Sequence, residues 1–131
     1  MMSNSREESI EFLLSHYQNP QHKGRTPNAT FTKSGGNPGC ADIVEISARI
    51  GADDHIDEIF FDGQGCTISM AAADYLVEIA QGKTLEEIEA MTVDQLLDDL
   101  GRDIVMTRPS CATSAFHVLK QAVHEELMRR K

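Results

Sequence analysis

Apolar and polar positions alternate along this chain with two different periods. Ile10, Leu13, Leu14 and Tyr17 recur at i, i+3, i+4 and i+7 behind Ser5-x-x-Glu8. That spacing predicts an amphipathic helix over residues 6–17, opened by a capping box, and Asn19-Pro20 stops it. Val44, Ile46, Ala48 and Ile50 alternate with Glu45, Ser47 and Arg49, the period of a half-buried strand, and residues 56–62 form a second one. Gly51-Ala52-Asp53-Asp54-His55 between them has the composition of a hairpin turn. A short extended piece is expected at residues 29–33, followed by a loop through Gly35-Gly36-Asn37-Pro38-Gly39.

Beyond residue 66 the pattern turns helical. Ile68, Ala72, Leu76 and Ile79 share a face over residues 67–80, with Gly82 at the end. Thr84-x-x-Glu87 and Thr92-x-x-Gln95 are capping boxes that open two short helices, the second closed by Gly101. Ala115, Val118, Leu119, Ala122, Val123 and Leu127 make a stripe on a last helix from about residue 111 to 129. One helix, then antiparallel strands, then helices is an α+β order, in which the helices cover one face of a small sheet. At 131 residues the chain is expected to be a single domain, 1–131.

Composition narrows the chemistry. Twelve Lys and Arg against 21 Asp and Glu leave a formal charge of −9, which argues against nucleic acid as the partner. No run approaches the ~18 apolar residues of a membrane span, and an acidic N-terminus with no apolar region leads to the expectation of a cytoplasmic protein. Between Phe12 and Ala41 there is no acid, while Lys23, Arg25 and Lys33 are basic, so this segment is an expected docking surface for an acidic patch. The three cysteines cannot close a disulfide framework and are expected to be thiols.

Cysteine in a small globule is most often a buried hydrophobe. Here every cysteine stands at an element boundary beside Gly, Pro or Asp. Cys40 and Asp42 share a face if the strand begins there, and a hairpin symmetric about Asp53 places Cys40 beside Cys66. Cys66 and Cys111 each precede a helix, where the dipole favours thiolate. His117 and His124, seven apart and opposite the last helix's apolar stripe, are expected to face solvent. His16 and His55 are read as surface or turn residues, and Met70 and Met91 as packing groups.

Asn37-Pro38-Gly39-Cys40-Ala41-Asp42, Gly63-Gln64-Gly65-Cys66-Thr67-Ile68-Ser69 and Arg108-Pro109-Ser110-Cys111-Ala112 together resemble the U-type iron–sulfur cluster scaffold family: the NifU N-terminal domain, IscU and SufU. His16-Tyr17-Gln18-Asn19-Pro20 and Gln81-Gly82-Lys83-Thr84-Leu85 resemble two further family segments. The resemblance implies a compact SufE/IscU-like α+β domain with a three-stranded antiparallel sheet. It also implies a site of Cys40, Asp42, Cys66 and Cys111 that holds zinc or a [2Fe-2S] cluster. A pyridoxal-phosphate cysteine desulfurase would supply sulfur, and apo iron–sulfur proteins would receive the cluster.

Within that family the chain mixes features. Ser110 stands where IscU has histidine, as in SufU, yet the 45-residue step from Cys66 to Cys111 lacks the SufU insertion. Ala41 replaces a usual glycine, and the segment by which IscU binds its Hsp70 is absent. Two roles follow as expectations: a non-enzymatic scaffold that assembles and transfers clusters, or a zinc-dependent sulfurtransferase that accepts persulfide sulfur. In either, Cys111 is the expected sulfur acceptor and Arg108 its charge partner.

Overall fold

Three strands, Phe31–Asn37 (β1), Asp42–Ile50 (β2) and Ile56–Gln64 (β3), form an antiparallel sheet in the order β1-β2-β3 in a computed structural model that describes residues 6–37, 42–106 and 109–130. The helices are Arg6–Gln18 (α1), Thr67–Ala80 (α2), Leu85–Ala90 (α3), Val93–Leu100 (α4), Arg102–Val105 (α5) and Pro109–Arg129 (α6). No described helix is long and apolar enough to cross a membrane.

Val44, Ile46 and Ala48 of β2 and Ile59 and Phe61 of β3 are completely or almost completely buried. α2 covers β3, and α6 covers β1 and β2. α2 is the hub. Ala71, Ala72 and Ala73 are buried with Leu76 and Val77, because small residues let α1, α6 and β3 approach it from three sides. The expected stripe on α6 is buried at Ala115, Val118, Leu119, Ala122 and Val123.

The sheet's other face is crossed by the segment that follows α1. Thr26 donates its backbone N–H to Ser47 Oγ at 2.8 Å and its hydroxyl to the Ser47 carbonyl at 2.7 Å. The Phe61 N–H bonds the His22 carbonyl, and the Gly24 N–H bonds the Phe61 carbonyl, at 2.9 and 2.7 Å. These contacts occupy part of the outer edge of β3, which would otherwise be open to another strand.

Three expectations are corrected. The inward face of α1 is Ser9, Phe12, Leu13 and His16, whereas Ile10, Leu14 and Tyr17 are exposed. β1 runs through Gly35 and Gly36 rather than ending at Lys33, because α6 lies close above it: a Cβ on Gly35 would come 2.9 Å from Val118 Cγ2. The β2–β3 hairpin is not symmetric. An irregularity at Arg49/Ile50 shifts the register by one, so Gln64 faces Ile43 rather than Asp42.

Candidate functional site

β2 and β3 deliver two of the four expected ligand positions to one end of the sheet. Asp42 opens β2, its backbone paired with Asn37 of β1. Cys40, Ala41 and Arg108 lie outside the described residues, as do the side chain of Asp42 and the capping residue Ser5. Near the end of β3 stands Gly63, paired with Val44, whose φ of +142° and backbone contact admit no side chain: a Cβ there would sit 2.0 Å from the Ile43 carbonyl oxygen. Three residues later, Cys66 caps α2.

The Cys66 Sγ accepts a hydrogen bond from the Ser69 N–H at 3.4 Å, and the Ser69 hydroxyl bonds back to the Cys66 carbonyl at 3.1 Å. The thiol is thus half-buried and held on the positive end of a 14-residue helix. The sulfur is therefore fixed in place at the junction of β3 and α2. Cys111 is the third residue of α6 rather than a residue before it, and it is completely buried. α6 packs on α2, so both cysteines begin helices that touch. The Cys111 sulfur is engaged in a disulfide. This departs from the expectation of three thiols, and any ligand or acceptor role for Cys111 starts from the reduced form.

A scan of the sequence against family models matches residues 9–131 to the NifU-like N terminal domain. The chain belongs to this family. The iron-sulfur cluster assembly scaffold protein IscU 1 of Archaeoglobus fulgidus is 31% identical over 111 residues, spanning 85% of this chain and 71% of that one. The zinc-dependent sulfurtransferase SufU of Bacillus subtilis is 29% identical over 90 residues, 69% of this chain and 58% of that one. A NifU-like protein (N-terminal) from Brucella abortus shares the fold at TM-score 0.72 and 13% identity, over 92% of this chain and 96% of that one. Family and fold agree with the α+β, three-stranded arrangement that the motifs imply.

Other expected residues sort as follows. His117 and His124 are exposed, and His124 Nδ1 lies 2.9 Å from Glu89. Met70 is buried in the core, and Met91 packs against it. The basic segment is largely neutralised: Arg25 pairs with Glu45 at 3.2 Å and Lys33 with Glu125 at 3.0 Å, which weakens the expected attraction for an acidic partner. His16 is not a surface residue. Its Nδ1 lies 2.5 Å from Oδ2 of Asp74, a carboxylate of α2 with no exposed surface. Sequence reasoning missed this pair, although a lone acid inside the apolar run Met70–Val77 is a signal that a partner must exist.

Proposed function

We propose that this chain assembles [2Fe-2S] clusters on Cys40, Asp42, Cys66 and Cys111 and hands them to apo iron–sulfur proteins, taking sulfur from a pyridoxal-phosphate cysteine desulfurase. The observation that carries the reading is Cys66 on the α2 cap at the end of β3. The β2–β3 ladder sets that strand end against the start of β2, with Gln64 opposite Ile43, the neighbour of Asp42. Soft thiolates joined by one hard carboxylate suit iron and sulfide or zinc. The oxygen ligand, the weakest partner for a soft centre, is suited to let cargo go. Membership of a family whose relatives include proteins named as cluster scaffolds supports the same reading.

Cys111 is the proposed sulfur acceptor, a role that requires the start of α6 to open, since this residue has no exposed surface in the folded chain. A reduced thiolate at the first turn of a helix attacks the outer sulfur of a desulfurase persulfide, and the desulfurase thiolate leaves. Arg108, three residues earlier, is the proposed charge partner, since three thiolates and a carboxylate around a divalent ion leave a net negative site.

A second reading has one specific support. Ser110 before Cys111, with a zinc-dependent sulfurtransferase among the relatives, favours a zinc-bound sulfur acceptor. Anaerobic reconstitution of the reduced chain with a cysteine desulfurase, iron and cysteine separates the two. Cluster absorbance that develops and then passes to an apo acceptor supports the scaffold. Zinc-dependent stimulation of alanine release without any cluster replaces it with the sulfur acceptor.

A further inference from the structure

Asp74 sits in the middle of α2 with its carboxylate fully buried. Burial of a carboxylate is costly unless each oxygen is satisfied. Oδ1 accepts the backbone N–H of His22 at 3.0 Å, and Oδ2 meets His16 Nδ1 at 2.5 Å. A second imidazole nitrogen points at the same group and is not satisfied. His22 Nδ1 is buried and stands 3.7 Å from Asp74 Oδ1, within ion-pair range but too far for a hydrogen bond, and it makes no hydrogen bond. A buried polar atom with an unmade bond is uncommon and costs stability. Glu78, one turn further along α2, presents a second carboxylate near the same group. One ligand atom each from His16, Asp74 and Glu78 lie within 4.8 Å of one another.

We infer that the α1–α2 seam is a second divalent-metal site, formed by His16, Asp74 and Glu78 with His22 as the fourth donor. Two imidazoles and two carboxylates are a donor set for zinc or ferrous iron, without sulfur and therefore chemically unlike the cysteine site. The ion would take the place of the His16–Asp74 hydrogen bond and give the His22 nitrogen a bonded partner. Phe12 and Tyr75, whose rings lie edge-on to His16 with centroids 4.8 and 5.7 Å away, wall the imidazole on its apolar sides. Glu78 is exposed and marks the open side, through which an ion enters. The site joins α1 and the segment after it to the helix that Cys66 caps, so metal there would brace the support of the cysteine site.

Cobalt(II) titration of the full chain, reduced with a phosphine beforehand, tests this independently of the proposed function. Cobalt on the cysteine site gives intense thiolate charge-transfer bands, whereas cobalt on nitrogen and oxygen gives only weak visible bands. The expected result is one equivalent of the weak-band class, lost or weakened on the order of tenfold or more by Glu78→Gln and by His22→Gln. Thiolate bands, where present, stay unchanged in both variants. Glu78→Gln alters an exposed residue, and its metal-free melting temperature should equal that of the wild type. Absence of weak-band cobalt, or weak-band cobalt indifferent to both variants, overturns the site and leaves His16–Asp74 as a structural hydrogen bond. Missing thiolate bands with weak-band cobalt intact would count against the cysteine site alone.

Discussion

Glu126 illustrates how one side chain ties distant parts of the chain together. It is 5% exposed, and both Arg129, the last residue of α6, and Arg130, just beyond it, donate to it. Arg130 also reaches Asp54 in the β2–β3 turn at 2.5 Å, so the end of α6 is fastened to the far end of the sheet. Burial on its own raises the carboxyl's pKa, but the hydrogen bonds and charges of the two arginines outweigh it and hold the pKa below the ordinary glutamate value. A lowered folded-state pKa contributes stability above the unfolded value, and that contribution disappears as pH falls through the folded one. Glu126→Gln should therefore cost about 1–2 kcal/mol at neutral pH. The gap to wild type should close in acid, below the ordinary glutamate range. Urea unfolding of both proteins across that range checks it, and a gap independent of pH would contradict the assignment. Tyr75 shows the opposite sign: burial and its 2.8 Å hydrogen bond to Asp99 push the phenol well above its ordinary range, so it stays protonated and pins α2 to α4.

At the scale of elements, legibility followed whether the decisive contact was local. Both described capping boxes form as the spacing predicts, with Thr84 exchanging bonds with Glu87 at 3.1 and 2.8 Å, and Thr92 with Gln95 at 3.3 and 3.4 Å. α2 has the expected bounds of residues 67 and 80. Misreadings arose where a distant partner decides. Period alone assigned the wrong face to α1, because Ser9 and His16 are polar residues whose inward position is set by tertiary contacts, in His16's case with a buried acid 58 positions away. Gly35-Gly36 looks like loop chemistry, and only the close approach of Val118 explains why a strand needs it. Of the site, the α2 cap by Cys66 was legible from its position before a helix, while the register shift at Arg49/Ile50 was not, since the alternation of apolar residues in β2 and β3 reads the same in either register. α3 has only six residues, too few to persist by propensity alone, so its box should matter more than its length suggests. Lys120 adds a second constraint by donating to the Glu89 and Met91 carbonyls at the other end. Thr84→Ala should cost about 1 kcal/mol and, in hydrogen exchange, speed the amides of α3 while those of α6 keep their protection. Uniform acceleration across both helices would show that α3 is not an independently opening unit.

Across the whole molecule, α2 links the two proposed metal sites, with Cys66 capping its start and Asp74 in its body. Around this hub the protein carries a formal −9, so a site of three thiolates and a carboxylate adds charge to a molecule already repelling it. A bound cation relieves that repulsion, which makes the most weakly held ligand the point at which release is controlled. Asp42 is that ligand in the proposed set. For a cluster scaffold, Asp42→Ala removes the hard oxygen from a soft centre, and the cluster should persist longer and transfer more slowly than in wild type. For a zinc-bound sulfur acceptor, the carboxylate would instead serve as a zinc ligand while Cys111 accepts sulfur, and the same substitution should chiefly reduce stimulation of the desulfurase. Both proteins are followed side by side, anaerobically and after reduction of the thiols, for cluster decay, transfer to an apo acceptor and alanine release. A longer-lived, slower-transferring cluster in the variant confirms the carboxylate as the release element, and a cluster with unchanged lifetime and transfer removes Asp42 from that role.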